Sequence, residues 1–279
     1  MLANFGLVRR TQGSVRAPRE SRLAARCQMT SSEKARPIPT TASSHRLSKT
    51  GRKYTLSAVG FVDTLGAKAL SGSEVFMNAL GYMVDLQKKA ALTPRDTIWV
   101  RTTCFSDNIG ASVVIEGLEL PEQKKAVRKL LRLLAGIQLK YLRDFGILCR
   151  GGVAIGQCFH DDNIIFGPAL VEAYILELMA ETPRIVVTDP VVELAGDVSV
   201  PLRVADPLRA QKGVPASSLR SIDFMRAELP GKQNRANFFA QLKAAIDEGM
   251  KGLQDTGTAE KWKWTAEKLQ ALKDELGQQ

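Results

Sequence analysis

The stretch Tyr54-Thr55-Leu56-Ser57-Ala58-Val59-Gly60-Phe61-Val62-Asp63 is short, apolar and rich in β-formers until it meets a carboxylate. That pattern reads as a buried strand running into an acid. Thr64-Leu65-Gly66 then turns the chain. From Gly72 to Leu92 the apolar residues Val75, Phe76, Ala79, Leu80, Met83 and Leu86 recur at helical spacing, and Thr93-Pro94 ends the segment. Thr97–Cys104 and Ala111–Ile115 read as strands joined by residues 105–110, where Asp107-Asn108 with the nearby Gly110 is hairpin chemistry. Pro121–Phe145 carries Val127, Leu130, Leu134, Ile137, Tyr141 and Phe145 on one face, with Gly146 as its stop.

Further along, Ile147–Ile155 and the region of Ile164-Ile165-Phe166 are strand-like. Gly167-Pro168 opens a helix to about Ala180, and Ile185–Thr188 is a short strand. The order β-α-ββ-α-β-β-α-β predicts an α/β (α+β) fold: a split βαβ-type sheet with helices. The pattern weakens from Gly196 to about Arg235, and two helices, Asn237–Leu253 and Thr258–Leu276, close the chain. Three regions follow: a basic leader (1–53), a core (54–190) and a C-terminal extension (191–279) expected to pack on the core.

The net charge of +10 over 279 residues invites a nucleic-acid reading until its position is examined. Residues 1–53 hold 12 Lys and Arg against Glu20 and Glu33, which leaves 27 basic and 27 acidic residues from Tyr54 onward. The leader, rich in Ser, Thr, Pro and Arg, is expected to be disordered. It is read as a solvated tail, an over-long start with initiation near Met29, or a nucleic-acid or transit segment. No apolar run approaches the roughly 18 residues that a membrane helix needs. Cys27, Cys104, Cys149 and Cys158 form no CxxC pair and read as reduced thiols of a cytoplasmic protein.

Asp63 and Asp107 each end an apolar strand, where a carboxylate is costly without a partner or a metal. If strand and hairpin are neighbours, the two acids meet at one sheet edge and suit Mg²⁺ or Mn²⁺ on phosphates; read alone, each is also an ordinary turn former. Amides of Thr64-Leu65-Gly66 either cradle phosphates or simply turn the chain. Arg150, heading Arg150-Gly151-Gly152-Val153-Ala154-Ile155-Gly156, fits phosphate oxygens or a surface ion pair. His160-Asp161-Asp162-Asn163 has metal-ligand residues but reads better as a solvated turn. Glu172 and Glu177 are expected to be exposed acids, Tyr174 a core tyrosine, and Trp262 and Trp264 packing residues.

Taken in order, Phe61-Val62-Asp63-Thr64-Leu65-Gly66, Phe105-Ser106-Asp107, Arg150 through Gly156, and Gly167 with Ala173 and Leu176-Glu177 resemble the class III nucleotidyl cyclase catalytic domain over about residues 54–190. His160 through Tyr174 and Pro183-Arg184-Ile185-Val186 look more like the bacterial pyrimidine cyclases of Pycsar antiphage defence. This resemblance implies conversion of UTP or CTP to cyclic UMP or cyclic CMP and pyrophosphate. It also implies two Mn²⁺ or Mg²⁺ ions, a head-to-tail homodimer with composite sites, and a separate effector protein. Asp63 and Asp107 match the metal-binding aspartates, and Thr64 matches a position whose carbonyl touches a metal. Leu65 and Gly66 match the phosphate-facing turn, Arg150 the triphosphate arginine, and Phe61 and Thr103 the nucleotide lining. Val171 and Ile175 stand where purine cyclases carry a transition-state Asn and Arg, so Arg184, Tyr174 or a partner-chain arginine is expected to serve instead. A catalytically silent nucleotide sensor and a nucleic-acid binder acting through the leader are the alternatives.

Overall fold

The computed structural model describes residues 52–92, 98–196, 200–204, 219–253 and 255–277. The expected leader disorder, Cys27, the Thr93-Pro94 helix stop and the Thr97 strand start lie outside the described residues. Strand β1 (Thr55–Thr64) is followed by a one-turn helix α1 (Ala67–Leu70) and by α2 (Glu74–Leu92). Then come the hairpin β2 (Val100–Phe105) and β3 (Asn108–Val114), the long helix α3 (Leu120–Phe145) and β4 (Cys149–His160). Next are β5 (Ile165–Phe166), α4 (Pro168–Met179), β6 (Ile185–Val187), α5 (Asp189–Ala195), β7 (Leu202–Val204) and β8 (Arg220–Ile222). The described chain ends with α6 (Phe224–Ala227), a 3₁₀ turn (Lys232–Asn234), α7 (Arg235–Gly249) and α8 (Thr256–Gly277).

The sheet runs β2-β3-β1-β4-β6-β8-β7, with β5 paired to β4. β1 is antiparallel to both β3 and β4, so β3 is inserted between β1 and β2, the strands that α2 connects. This is the split βαβ arrangement expected from the element order. β6 joins β4 in parallel through the α4 crossover.

Alternation along β1 decides what covers each face. Ala58 and Val62 face the cluster built by α2 and α3, where Leu130, Leu131, Leu134 and Ile137 are fully buried. α3 sits so close that a Cβ on Gly60 would stand 2.6 Å from Leu134 Cδ1. Its C-terminal cap is Gly146 at φ 61°, whose N–H donates to Leu142 O at 3.1 Å, as the sequence predicts. Val59 and Phe61 point to the opposite face, which α4 covers through Ala169, Ala173 and Leu176.

Two glycines of β4 allow its close neighbours, Gly152 towards α4 and Gly151 towards β1. A Cβ on Gly152 would lie 2.2 Å from Ala173 O, and one on Gly151 would lie 2.4 Å from Phe61 O. Larger residues would therefore push α4 or β1 away. Val75 differs from expectation: it is 45% exposed, because the buried stripe of α2 runs through Phe76, Ala79 and Met83 instead. Cys149 and Cys158 are buried free thiols and Cys104 is partly buried, in line with the expected reduced state.

Candidate active site

The expected acids converge at one end of the sheet. In the register, Asp63 of β1 stands opposite Asn108 of β3 on one side and Arg150 of β4 on the other. Asp107 lies beside Asn108, in the two-residue turn Ser106-Asp107. That turn is tighter than the sequence indicates, since pairing continues to Phe105 and Asn108. Ser106 takes φ 57°, the left-handed backbone such hairpin turns demand. Two hydrogen bonds hold the tip: Thr64 Oγ1 donates to Asp107 O at 2.9 Å, and Asn108 Nδ2 donates to Asp107 Oδ1 at 3.3 Å. Thr64 thus ties the Asp107 turn to the end of β1.

Arg150 bridges two acids. Its Nε lies 3.5 Å from Asp63 Oδ2 and 2.5 Å from Glu177 Oε1. The closer contact is an ion pair without aligned hydrogen-bond geometry. Glu177, expected to be exposed, is 2% exposed, whereas Tyr174, expected in the core, is 45% exposed. The physical reason is the helix phase imposed by Gly152: Ala173, Leu176, Glu177 and Ala180 share the face pressed on β4. Glu177 is tolerated there because Arg150 meets it. Tyr174 stands on the outer side and packs edge-on against Phe61 with ring centroids 5.4 Å apart. Glu172 is exposed as expected.

Asp63 and Glu177 share one guanidinium in a part-buried setting. Burial pushes the Asp63 carboxyl above the usual range and Asp107 adds to the rise, against the attraction of Arg150. Burial, reinforced by Asp63 and opposed by Arg150, pushes Glu177 up to about 7. A cation placed between Asp63 and Asp107 would relieve this crowding. Two carboxylates at a strand end form a donor set suited to Mg²⁺ or Mn²⁺. Among the described residues no group of three or more His, Cys, Asp or Glu could by itself hold a metal ion, so further ligands would come from substrate, water and backbone.

At the Leu65-Gly66 turn, Gly66 has φ 81° and accepts at its carbonyl from Ala69 N and Leu70 N. The Leu65 N–H is already donated to Leu148 O at 2.8 Å, which removes it from the expected phosphate-facing amides. Phe61 is buried between β1 and α4 and also packs near Phe105, with centroids 6.0 Å apart. Thr103 lies on the Asp63 face, but its hydroxyl is engaged with His160 Nε2 at 2.9 Å.

His160 is the last residue of β4 rather than part of a turn, because it pairs with Ile165 of β5. Its Nδ1 meets Ser112 Oγ at 2.7 Å, so both ring nitrogens are used. Burial and the nearby Arg101 lower its pKa to about 4. Asp161 forms the expected turn by accepting from Asn163 N at 2.9 Å and Ile164 N at 3.0 Å, and Asp162 pairs with Arg101 at 3.3 Å. Val171 is 57% exposed, and Ile175 packs partly against the α4 cluster. Arg184 is buried next to β6, in line with the Arg150 position across the parallel ladder.

No protein-family model and no curated protein sequence matches the chain. Among solved structures it is similar to the adenylyl cyclase CyaB from P. aeruginosa, at 16% identity over 61% of this chain and 94% of that one, with a TM-score of 0.47. It is also similar to the guanylate cyclase domain of RhGC from Catenaria anguillulae, solved in complex with GTP, at 15% identity over 61% and 97% with a TM-score of 0.45. A third is an adenylate/guanylate cyclase/hydrolase from Silicibacter pomeroyi, at 22% identity over 61% and 96% with a TM-score of 0.41.

Proposed function

We propose that this chain is a class III-type nucleotidyl cyclase that converts UTP or CTP to the 3′,5′-cyclic monophosphate and pyrophosphate. The observation that carries this reading is the meeting of Asp63 and Asp107 at one sheet end, with Arg150 opposite Asp63. Bound divalent cations would neutralise the phosphate oxygens and lower the pKa of the ribose 3′-hydroxyl. Asp63 and Asp107 would hold them, with the Thr64 backbone as a further donor. The hydroxyl oxygen forms a bond to the α-phosphorus, its proton passes to solvent, and the bond from the α-phosphorus to the bridging oxygen breaks as pyrophosphate leaves. Arg150 orients the triphosphate with its guanidinium fork, while Glu177 keeps that fork in place.

The pyrimidine preference, the head-to-tail homodimer, the use of Mn²⁺, the cytoplasmic setting and a cyclic-nucleotide-responsive effector in antiphage defence belong to the same proposal. They are supported by the Pycsar-like wording of residues 160–186. Exposed Val171, Tyr174, Phe166 and Phe105 leave apolar surface beside the site for a second copy to cover. Among the described residues no helix is long and apolar enough to cross a membrane. A silent nucleotide sensor is the second reading, favoured by the apolar Val171 and Ile175. Pyrophosphate release from UTP and CTP with Mn²⁺ decides between them: the cyclase releases it and Asp63→Ala does not, whereas a sensor binds triphosphate without turnover.

A further inference from the structure

The C-terminal helix pair packs into the main hydrophobic cluster and brings α8 against the turn that follows β1. A Cβ on Gly249, at the end of α7, would stand 2.3 Å from the ring of Trp262, so the indole lies directly on the helix backbone there. Trp262 is only 6% exposed. This contact fixes the first turns of α8 beside the strand end that carries Asp63. A cavity of about 270 Å³ results, with Leu65, Gly66 and Ala69 on one side and Thr258, Lys261 and Trp262 on the other.

Lys261 is half-buried, and among the described residues its ammonium forms no ion pair. A half-buried ammonium that lines a cavity together with the Leu65-Gly66 turn, two residues after Asp63, is a place for a polyanion.

We propose that Lys261 contacts the β- and γ-phosphates of the nucleoside triphosphate, which makes α8 part of the active site. The inference rests on the nucleotidyl cyclase reading and deepens it. As the bond from the α-phosphorus to the bridging oxygen breaks, that electron pair and its negative charge go to the departing pyrophosphate. Lys261 stabilises that charge. A flexible ammonium with three donors suits a leaving group that must also be released. It supplies from the C-terminal extension a cationic group that Val171 and Ile175 cannot provide.

The test uses the full chain with Mn²⁺ and two readouts: calorimetric binding of inorganic tripolyphosphate, and steady-state turnover of UTP and CTP. Lys261→Met is expected to weaken tripolyphosphate binding about tenfold and to lower kcat/KM at least as much. Lys261→Arg should recover most of both, which loss of packing alone would not allow. Circular dichroism checks folding, and Lys261→Gln takes the place of Lys261→Met should the latter unfold. If wild type turns over and the neutral variant binds tripolyphosphate equally well, Lys261 has no such role and the cyclase reading stands. If wild type neither binds tripolyphosphate nor turns over either nucleotide, the cyclase reading fails and takes this inference with it.

Discussion

One face of the sheet carries two polar clusters, and they are built on opposite terms. Around His160 each polar group has a partner: the ring bonds Thr103 and Ser112, Asp161 closes its own turn, and Asp162 pairs with Arg101. Around Asp63, among the described residues, Arg150 is the one cation within ion-pair distance of both Asp63 and Glu177, and Asp107 adds a further negative charge beside Asp63. The first cluster is complete without a ligand. The second is arranged so that added positive charge would stabilise it, as expected of a site for metal and phosphate and not of a structural network.

The sharpest way to break this contrast is to neutralise one acid. Asp107→Asn should cut Mn²⁺-dependent turnover by about a hundredfold or more while leaving the metal-free melting temperature unchanged or raised. A variant that melts several degrees lower would mark Asp107 as a structural residue.

The two clusters should also respond to pH in opposite senses. Glu177 has a folded pKa raised from 4.5 to about 7, so its native environment favours the protonated acid. The associated stability is complete below pH 4.5 and is lost as pH rises through 7, amounting to about 3 kcal/mol at most. His160 is depressed from 6.5 to about 4, so its contribution is present above pH 6.5 and lost as pH falls through 4, again by about 3 kcal/mol at most. Denaturant titrations of metal-free protein across pH 4–8, compared with Glu177→Gln and His160→Gln, should show each slope vanish only in its own variant. Parallel pH curves for wild type and either variant would refute that assignment.

Gly152→Ala tests the packing that brings Glu177 to Arg150. The added methyl would collide with Ala173 O, costing about 1–3 kcal/mol and lowering turnover as α4 shifts. Thermal melts and kcat would register both; retention of full stability would mean that α4 is free to move. The smallest effect belongs to the completed cluster: Asp162→Asn removes a largely exposed ion pair and should change stability by less than about 1 kcal/mol in the same melts.

Much of this was legible in the sequence where periodicity was strong. β1, the hairpin and α3 each bury one face against a polar other side or end in a turn signal, so their positions follow from pattern; the meeting of Asp63 with Asp107 follows only once strand and hairpin are neighbours in the sheet. The burial of Glu177 is not legible in the sequence because α4 is apolar nearly all round, which leaves its buried side undefined until Gly152 sets the phase. The signal was present in the spacing of Ala173, Glu177 and Ala180, but that spacing needed β4 to give it meaning. The sequence places His160 in a turn because a two-residue strand such as β5 leaves too short a pattern to extend β4 through it. Nothing local could bring Lys261 to Gly66, since α8 reaches that end by a tertiary contact between Gly249 and Trp262.

The most direct test of Asp63 and Asp107 as a metal-dependent cyclising site is incubation of purified protein with Mn²⁺ and each of the four ribonucleoside triphosphates, followed by product identification by mass. The expected result is a cyclic pyrimidine monophosphate with an equimolar amount of pyrophosphate from wild type, and neither from Asp107→Asn. Recovery of all four triphosphates intact, or equal product from Asp107→Asn, would contradict it.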